Sequence, residues 1–257
     1  MSNTTTEEKI DLEKNQDEAE VSELTADKVA DDLPLSPEDK ALLEDMLKSG
    51  LILGYRKSKG HPKMAKYILT VRNNIQIFDL IKTIEELKKS VAFLKSIIEK
   101  GGKVLLVGTT PSSKELVKEA AQALKMPYVC ERWLGGTMTN FPTIKKRVAY
   151  FLDLEKKKET GELEKYTKKE RLLFDRELVK LENKIGGIKA MEKIPEVLFL
   201  VDIKASETAL KEAKKVKIPV VAICNTNNNP DLVDYVIPAN NSSYAAIKFT
   251  LEYLKKL

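Results

Sequence analysis

The sequence predicts an α/β protein, a parallel sheet with helices on both faces, into which a helical hairpin is inserted. Three observations carry this. Short, wholly apolar runs at residues 104–107, 197–201 and 220–224 read as strands buried on both faces. Amphipathic helical stripes alternate with them, the pattern of a parallel sheet covered by helices. Between Pro142 and Pro195 the strand signal vanishes and a heptad-like spacing replaces it.

Taken in order, residues 1–40 hold four lysines and 13 acids, net −9, and no aromatic residue. Such a segment cannot bury enough apolar surface to offset its ordering entropy, so residues 1–34 are expected to be disordered. Order should begin at Ser36, a helix cap, with Pro37 in the first helical position and Glu38 and Asp39 at the positive helix end. Leu42, Leu43, Met46 and Leu47 then share a face, and Gly50 can close the helix.

Residues 67–71 and 75–78 read as strands about a turn at Arg72, Asn73 and Asn74. Ile84, Leu87, Val91, Leu94 and Ile98 form a helical stripe over residues 83–100, ended by Gly101 and Gly102. Next come a strand at 104–107, a helix at 113–124 and a strand at 128–130. After the insertion come a strand at 197–201, a helix at 206–216, strands at 220–224 and 236–238, and a last helix at 243–257.

In the insertion, Phe174, Leu178, Leu181, Ile185 and Ile188 repeat at spacings of 4, 3, 4 and 3. Ile144, Val148, Phe151 and Leu152 are the expected facing stripe, with a loop at 159–162. The prediction is an antiparallel coiled-coil hairpin of two helices, each about 15–18 residues, packed mainly on itself and protruding. The chain thus divides into an acidic extension (1–34), an α/β domain (35–141 and 194–257) and the hairpin insertion (142–193).

Composition excludes several classes. No apolar run approaches the roughly 18 residues of a membrane helix. Two cysteines and one histidine rule out a disulfide scaffold and a Cys/His metal cage. Cys130 and Cys224 are expected as free thiols in a cytoplasm-like compartment, because the first 40 residues lack the arginines and the apolar core of a targeting signal. The net charge of +5 conceals a polarity. With −9 on residues 1–40, the remaining 217 residues carry +14. The extension reads as a solubilising tail, or more sharply as one that screens a basic body.

Enzymatic readings fare poorly. The turn at 108–113 resembles a phosphate cradle, but fits neither G-x-G-x-x-G nor G-x-x-x-x-G-K-[ST], and Ser/Thr capping of the next helix explains it. His61 has no acid nearby to orient it, and no acid pair has a hydrolytic spacing. No catalytic residue, metal, cofactor or small-molecule substrate is expected. The basic features say more. Residues 50–78 contain Arg56, Lys57, Lys59, Lys63, Lys66 and Arg72 and no acid, in an irregular stretch with Gly54, Ser58, Gly60 and Pro62. Clustered cations on a loop attract a polyanion by counterion release, and Tyr55 and His61 offer rings for unpaired bases, with Tyr67 read as core.

Residues 132–141, Arg-Trp-Leu-Gly-Gly-Thr-Met-Thr-Asn-Phe, resemble the signature of the small-subunit ribosomal protein two family in its bacterial and organellar form. Collinear matches run from about residue 42 to 254, among them Pro62-Lys63-Met64, Arg72-Asn73, Met126-Pro127-Tyr128-Val129, Thr167-Lys168-Lys169-Glu170 and Gly186-Gly187-Ile188-Lys189. The resemblance implies a flavodoxin-like domain with a protruding coiled-coil hairpin. It implies a non-enzymatic constituent of the small ribosomal subunit in the cytoplasm. Its partners would be small-subunit ribosomal RNA and neighbouring ribosomal proteins, ribosomal protein one in bacteria among them. Lys63, Arg72, Arg132, Trp133, Asn140, Lys168 and Lys169 match family positions that face RNA or support that surface. Arg56, Lys57, Lys59 and Lys66 on the arm, and Lys145, Lys146 and Arg147 on the hairpin, complete the expected RNA-binding set.

The sequence departs from the family in its first arm. Ile52 and Tyr55 replace two histidines, Gly60-His61 a Trp-Asn pair, and Gln76 a third histidine, so a metal site on those histidines is not expected. Amides and a hydroxyl stand for acids at Asn225, Asn229, Asn241 and Ser242, which lessens repulsion beside RNA.

Overall fold

The computed structural model describes residues 37–255. The cap expected at Ser36 and the acidic extension lie outside them.

Helix α1 (Pro37–Lys48) buries Leu43, Met46 and Leu47 and ends at Gly50, whose φ is 66°. Strands β1 (Leu53–Arg56), β2 (Ile68–Arg72) and β3 (Ile75–Phe78) form a small antiparallel sheet in the order β1-β3-β2. The β2–β3 turn is two residues long. Arg72 pairs with Ile75, and Asn73 and Asn74 both take positive φ (45° and 64°), the hairpin geometry that asparagine tolerates. Helix α2 (Leu80–Glu99) starts three residues before the apolar stripe suggests. Asp79 is the reason: its carboxylate accepts from the backbone N–H groups of Ile81 and Lys82.

The main sheet contains β4 (Val104–Val107), β5 (Tyr128–Val129), β6 (Val197–Leu200), β7 (Val220–Cys224) and β8 (Tyr235–Pro238). All its pairings are parallel, in the order β5-β4-β6-β7-β8. Counted within this sheet the order is 2-1-3-4-5, the flavodoxin-like arrangement. The strands' side chains alternate between two cores. Val104, Leu106, Val197 and Phe199 face α1, α2, α3 (Lys114–Leu124) and α7 (Tyr244–Leu254). Leu105, Val107, Leu198 and Leu200 face α6 (Glu207–Val216) and the segment after β5. This two-sided burial is why the strands read as continuous apolar runs.

That second face also receives α4 (Phe141–Glu159) and α5 (Lys168–Ile185). They run back along each other, tied by Lys158–Asp175 and Tyr150–Glu177. The structure corrects the expected facing stripe at one position: Leu152 is exposed and Leu154 is buried in its place. Ile144, Val148, Phe151, Leu178 and Ile185 are continuous with the apolar cluster of the sheet's second face, while the two helices pack mainly on each other, as expected. Thr167 and Glu170 form a reciprocal capping box at the start of α5, and the backbone and hydroxyl of Thr167 hold the Glu170 carboxyl below its usual range.

Both cysteines are free thiols. Burial pushes Cys130 up to about 11, with the Glu131 carboxylate adding to it. Burial raises Cys224 further, helped by Asp202. The thiolate is the reactive form, so at pH 7.5 the folded protein should react with an aromatic disulfide reagent at least tenfold more slowly than the urea-unfolded chain. Rapid titration of both thiols in the folded state would contradict this burial.

Candidate nucleic-acid interface

The acid-free arm leaves α1 and crosses the carboxyl ends of β7 and β8. It runs through β1 and two 3-10 turns, Lys57–Lys59 and Pro62–Tyr67, into β2. Thr226 fastens it at two points. Its Oγ1 accepts from the Tyr55 N–H (2.9 Å) and its carbonyl from the His61 N–H (2.8 Å). Gly54 lies so close to the Thr226 side chain and the Gln76 carbonyl that a Cβ would collide with both.

The loop beneath is an amide network. Asn225 Nδ2 donates to Asn241 Oδ1 (3.1 Å) and Asn240 Oδ1 (3.3 Å), while Asn225 Oδ1 accepts from the Thr226 N–H (2.7 Å). Asn240 Nδ2 donates to the Gly50 carbonyl, and Ser242 bonds the Tyr55 hydroxyl. Carboxylates at 225 and 241 would only accept and would oppose each other. Amides donate as well, so they join the arm to the sheet without a cation between them. This is a structural reason for the amides beside the lessened repulsion. Among the described residues, no group of three or more His, Cys, Asp or Glu side chains is placed to hold a metal.

The arm's cations differ in their freedom. Arg56, Lys57, Lys59 and Lys66 are exposed, Arg72 is half-buried, and none of them forms an ion pair among the described residues. Lys66 sits over the Tyr67 ring, 4.9 Å from its centre. Lys63 is committed to Asp231 at 2.5 Å, and that bond holds the Asp231 carboxyl below its usual range. His61 Nδ1 accepts from the Lys63 N–H as the cap of the second 3-10 turn, so its ring is engaged. Tyr67 is buried, as expected, but it closes the second 3-10 turn, and the strand expected from residue 67 begins at Ile68.

In the signature segment Trp133, expected to face RNA or to support that surface, is only 8% exposed, and its indole N–H donates to Glu212 Oε1 (3.0 Å). Glu212 lies on α6 and is itself buried. It also accepts from the backbone N–H groups of Gly136 (2.8 Å), Met138 (3.0 Å) and Thr139 (3.2 Å) and from the Thr139 hydroxyl (3.2 Å). Burial works to raise its pKa, but the Trp133 indole and the three backbone N–H groups outweigh that and leave it lowered. Trp133 therefore braces the surface from beneath. The loop wrapped on this carboxylate carries exposed Arg132 on one side and exposed Asn140, the residue before α4, on the other. Lys145, Lys146 and Arg147 follow, exposed on the first turns of α4. Lys145 reaches the Glu192 carbonyl at 3.5 Å. Lys168 and Lys169 are exposed at the far end, on the first turn of α5.

Glu212 is the residue that sequence reasoning missed. Its signal was present, because Ala209 and Ala213 share its helix face and a lone acid there interrupts an otherwise apolar stripe. The turn after β4, at the topological switch point, uses its hydroxyls internally. Thr110 Oγ1 and Ser113 Oγ lie 2.8 Å apart, and Ser113 makes no side-chain cap bond, contrary to the capping expected of it.

These features define a class: a parallel α/β domain with exposed, unpaired cations on an arm and around a clamped loop. The chain belongs to the ribosomal protein S2 family, whose model matches residues 46–257. It is 43% identical over 206 residues to the small ribosomal subunit protein uS2 of Hahella chejuensis, covering 80% of this chain and 81% of that protein. It is 45% identical over 203 residues to the uS2 protein of Roseiflexus castenholzii, covering 79% and 77%.

Proposed function

We propose that this chain is a structural constituent of the small ribosomal subunit, that it holds ribosomal RNA through the arm and the cations flanking the signature loop, and that it performs no catalysis. The family membership supports the subunit, a cytoplasmic particle. The arm supports the mode of binding: an acid-free backbone fastened to a rigid sheet, with Arg56, Lys57 and Lys59 exposed and unpaired.

Such a surface acts by neutralising phosphates and releasing their counterions. Contacts of this kind fix register and orientation and carry little base sequence. Arg132, Arg72, Lys146, Arg147, Lys168 and Lys169 extend the cationic footprint. Lys63 contributes less while Asp231 holds it. Protein neighbours, ribosomal protein one among those the family resemblance implies, would use the exposed apolar side chains Leu152, Leu172, Leu173 and Val179 of α4 and α5.

Tagged protein expressed in a bacterium should sediment with small ribosomal subunits through a sucrose gradient in moderate salt. Recovery only at the top of the gradient would overturn the assignment. Micromolar binding of ATP, NAD or flavin by calorimetry would instead revive an enzyme sited at the turn after β4.

A further inference from the structure

Two segments of this chain are complementary in charge. Residues 15–27 contain Asp17, Glu18, Glu20, Glu23 and Asp27 and no base, while residues 50–78 contain six bases and no acid. Of those six, only Lys63 has an acid partner among the described residues. We propose that residues 15–27 seat on the arm of their own chain, in the groove of about 580 Å³ lined by Tyr55, Arg56, Lys59, Asn74, Asn240 and Ser242. There they occupy, before assembly, the surface that the proposed function gives to RNA.

The connection is short. The acidic segment joins the described structure at Pro37, the start of α1. The other end of α1 meets the groove, because Asn240 bonds the backbone carbonyls of both Gly50 and Leu51. A 12-residue helix is about 18 Å long. The ten residues from Asp27 to Pro37 can extend to about 33 Å, so the acids reach the groove without strain. Tethering at this range gives an effective concentration of the order of millimolar, enough for a weak multivalent ionic contact at low salt. The hairpin is the poorer seat. Its cations are interleaved with acids and several are already paired, as in Lys157–Asp153 and Lys158–Asp175.

The test uses the full chain. Zero-length carbodiimide cross-linking at 50 mM salt, read by mass spectrometry, should join carboxylates of residues 17–27 chiefly to Lys57 and Lys59, and the products should vanish near 0.5 M salt. A full-length variant with D17N, E18Q, E20Q, E23Q and D27N should bind a 20-nucleotide polyuridylate about three- to tenfold more tightly at 50 mM salt and equally at high salt. Cross-links spread evenly over surface lysines, or centred on Lys168 and Lys169, would overturn the proposal, as would unchanged RNA affinity. Arg56, Lys57 and Lys59 changed together to alanine separates the two readings. If that variant keeps full RNA affinity, the RNA-binding arm fails. If it loses RNA while the parent shows no cross-links to the arm, only the seating of the acidic segment fails.

Discussion

Glu212→Ala should cost about 4 kcal/mol of stability, the largest effect expected of any single polar substitution in this protein. The carboxylate is buried and accepts five hydrogen bonds from Trp133, Gly136, Met138 and Thr139. Removing it leaves four N–H donors without their partner, each costing about 1–3 kcal/mol where water cannot replace it. For a domain of this size that lowers the melting temperature by about 10 °C. Glu212→Gln, which keeps one accepting oxygen, should fall between the two. The pH dependence has a fixed sign. The folded-state pKa is lowered, so the carboxylate's contribution is present above the unfolded value of about 4.3 and is lost as pH falls through the folded value. Thermal melts between pH 7 and pH 3 should therefore narrow the gap between the parent and the alanine variant, with the parent approaching the glutamine variant at the acid end. A parallel offset at every pH would show that the ionised carboxylate is not what clamps the loop.

Arg56, Lys57 and Lys59 changed together to alanine should weaken RNA binding at least about tenfold at 0.1 M salt. The slope of log affinity against log salt should flatten by about 2, since each neutralised phosphate on a single strand contributes about 0.7. Folding should be almost unaffected. The three side chains are exposed and form no ion pair among the described residues, and such surface changes stay within about 0.5 kcal/mol. An unchanged slope would remove the arm from the RNA-binding surface even if affinity fell. Lys63→Ala is the informative contrast. Its smaller expected effect reflects the Asp231 partner that it must leave to reach a phosphate.

Much of the fold was legible because its determinants are local. Strands buried on both faces must be apolar throughout, so residues 104–107, 197–200 and 220–224 declare themselves. The β2–β3 turn is legible for a related reason: two adjacent asparagines can both take positive φ. Helix limits were less secure. Asp79 starts α2 before its apolar stripe, because a cap depends on one side chain reaching two backbone N–H groups. In α4, Leu152 and Leu154 are two residues apart, and only the packing of the partner helix and the apolar cluster it joins decides which of them is buried.

The candidate interface divides the same way. Charge is a property of composition, so the acid-free arm and its contrast with the acidic extension are fixed by residue identity alone. Pairing is a property of distance. Lys63 and Asp231 lie 168 positions apart and Trp133 and Glu212 lie 79 apart, and no periodicity links them. By itself the sequence determined the α/β class, the alternation of strands and helices, the family likeness and the basic arm. Only the tertiary structure decided that Trp133 braces the loop from below, that Glu212 holds that loop, that amides fasten the arm, and which cations remain unpaired. The reason is physical: burial and hydrogen bonding depend on which distant segments meet, whereas propensity and charge belong to each residue before the chain folds.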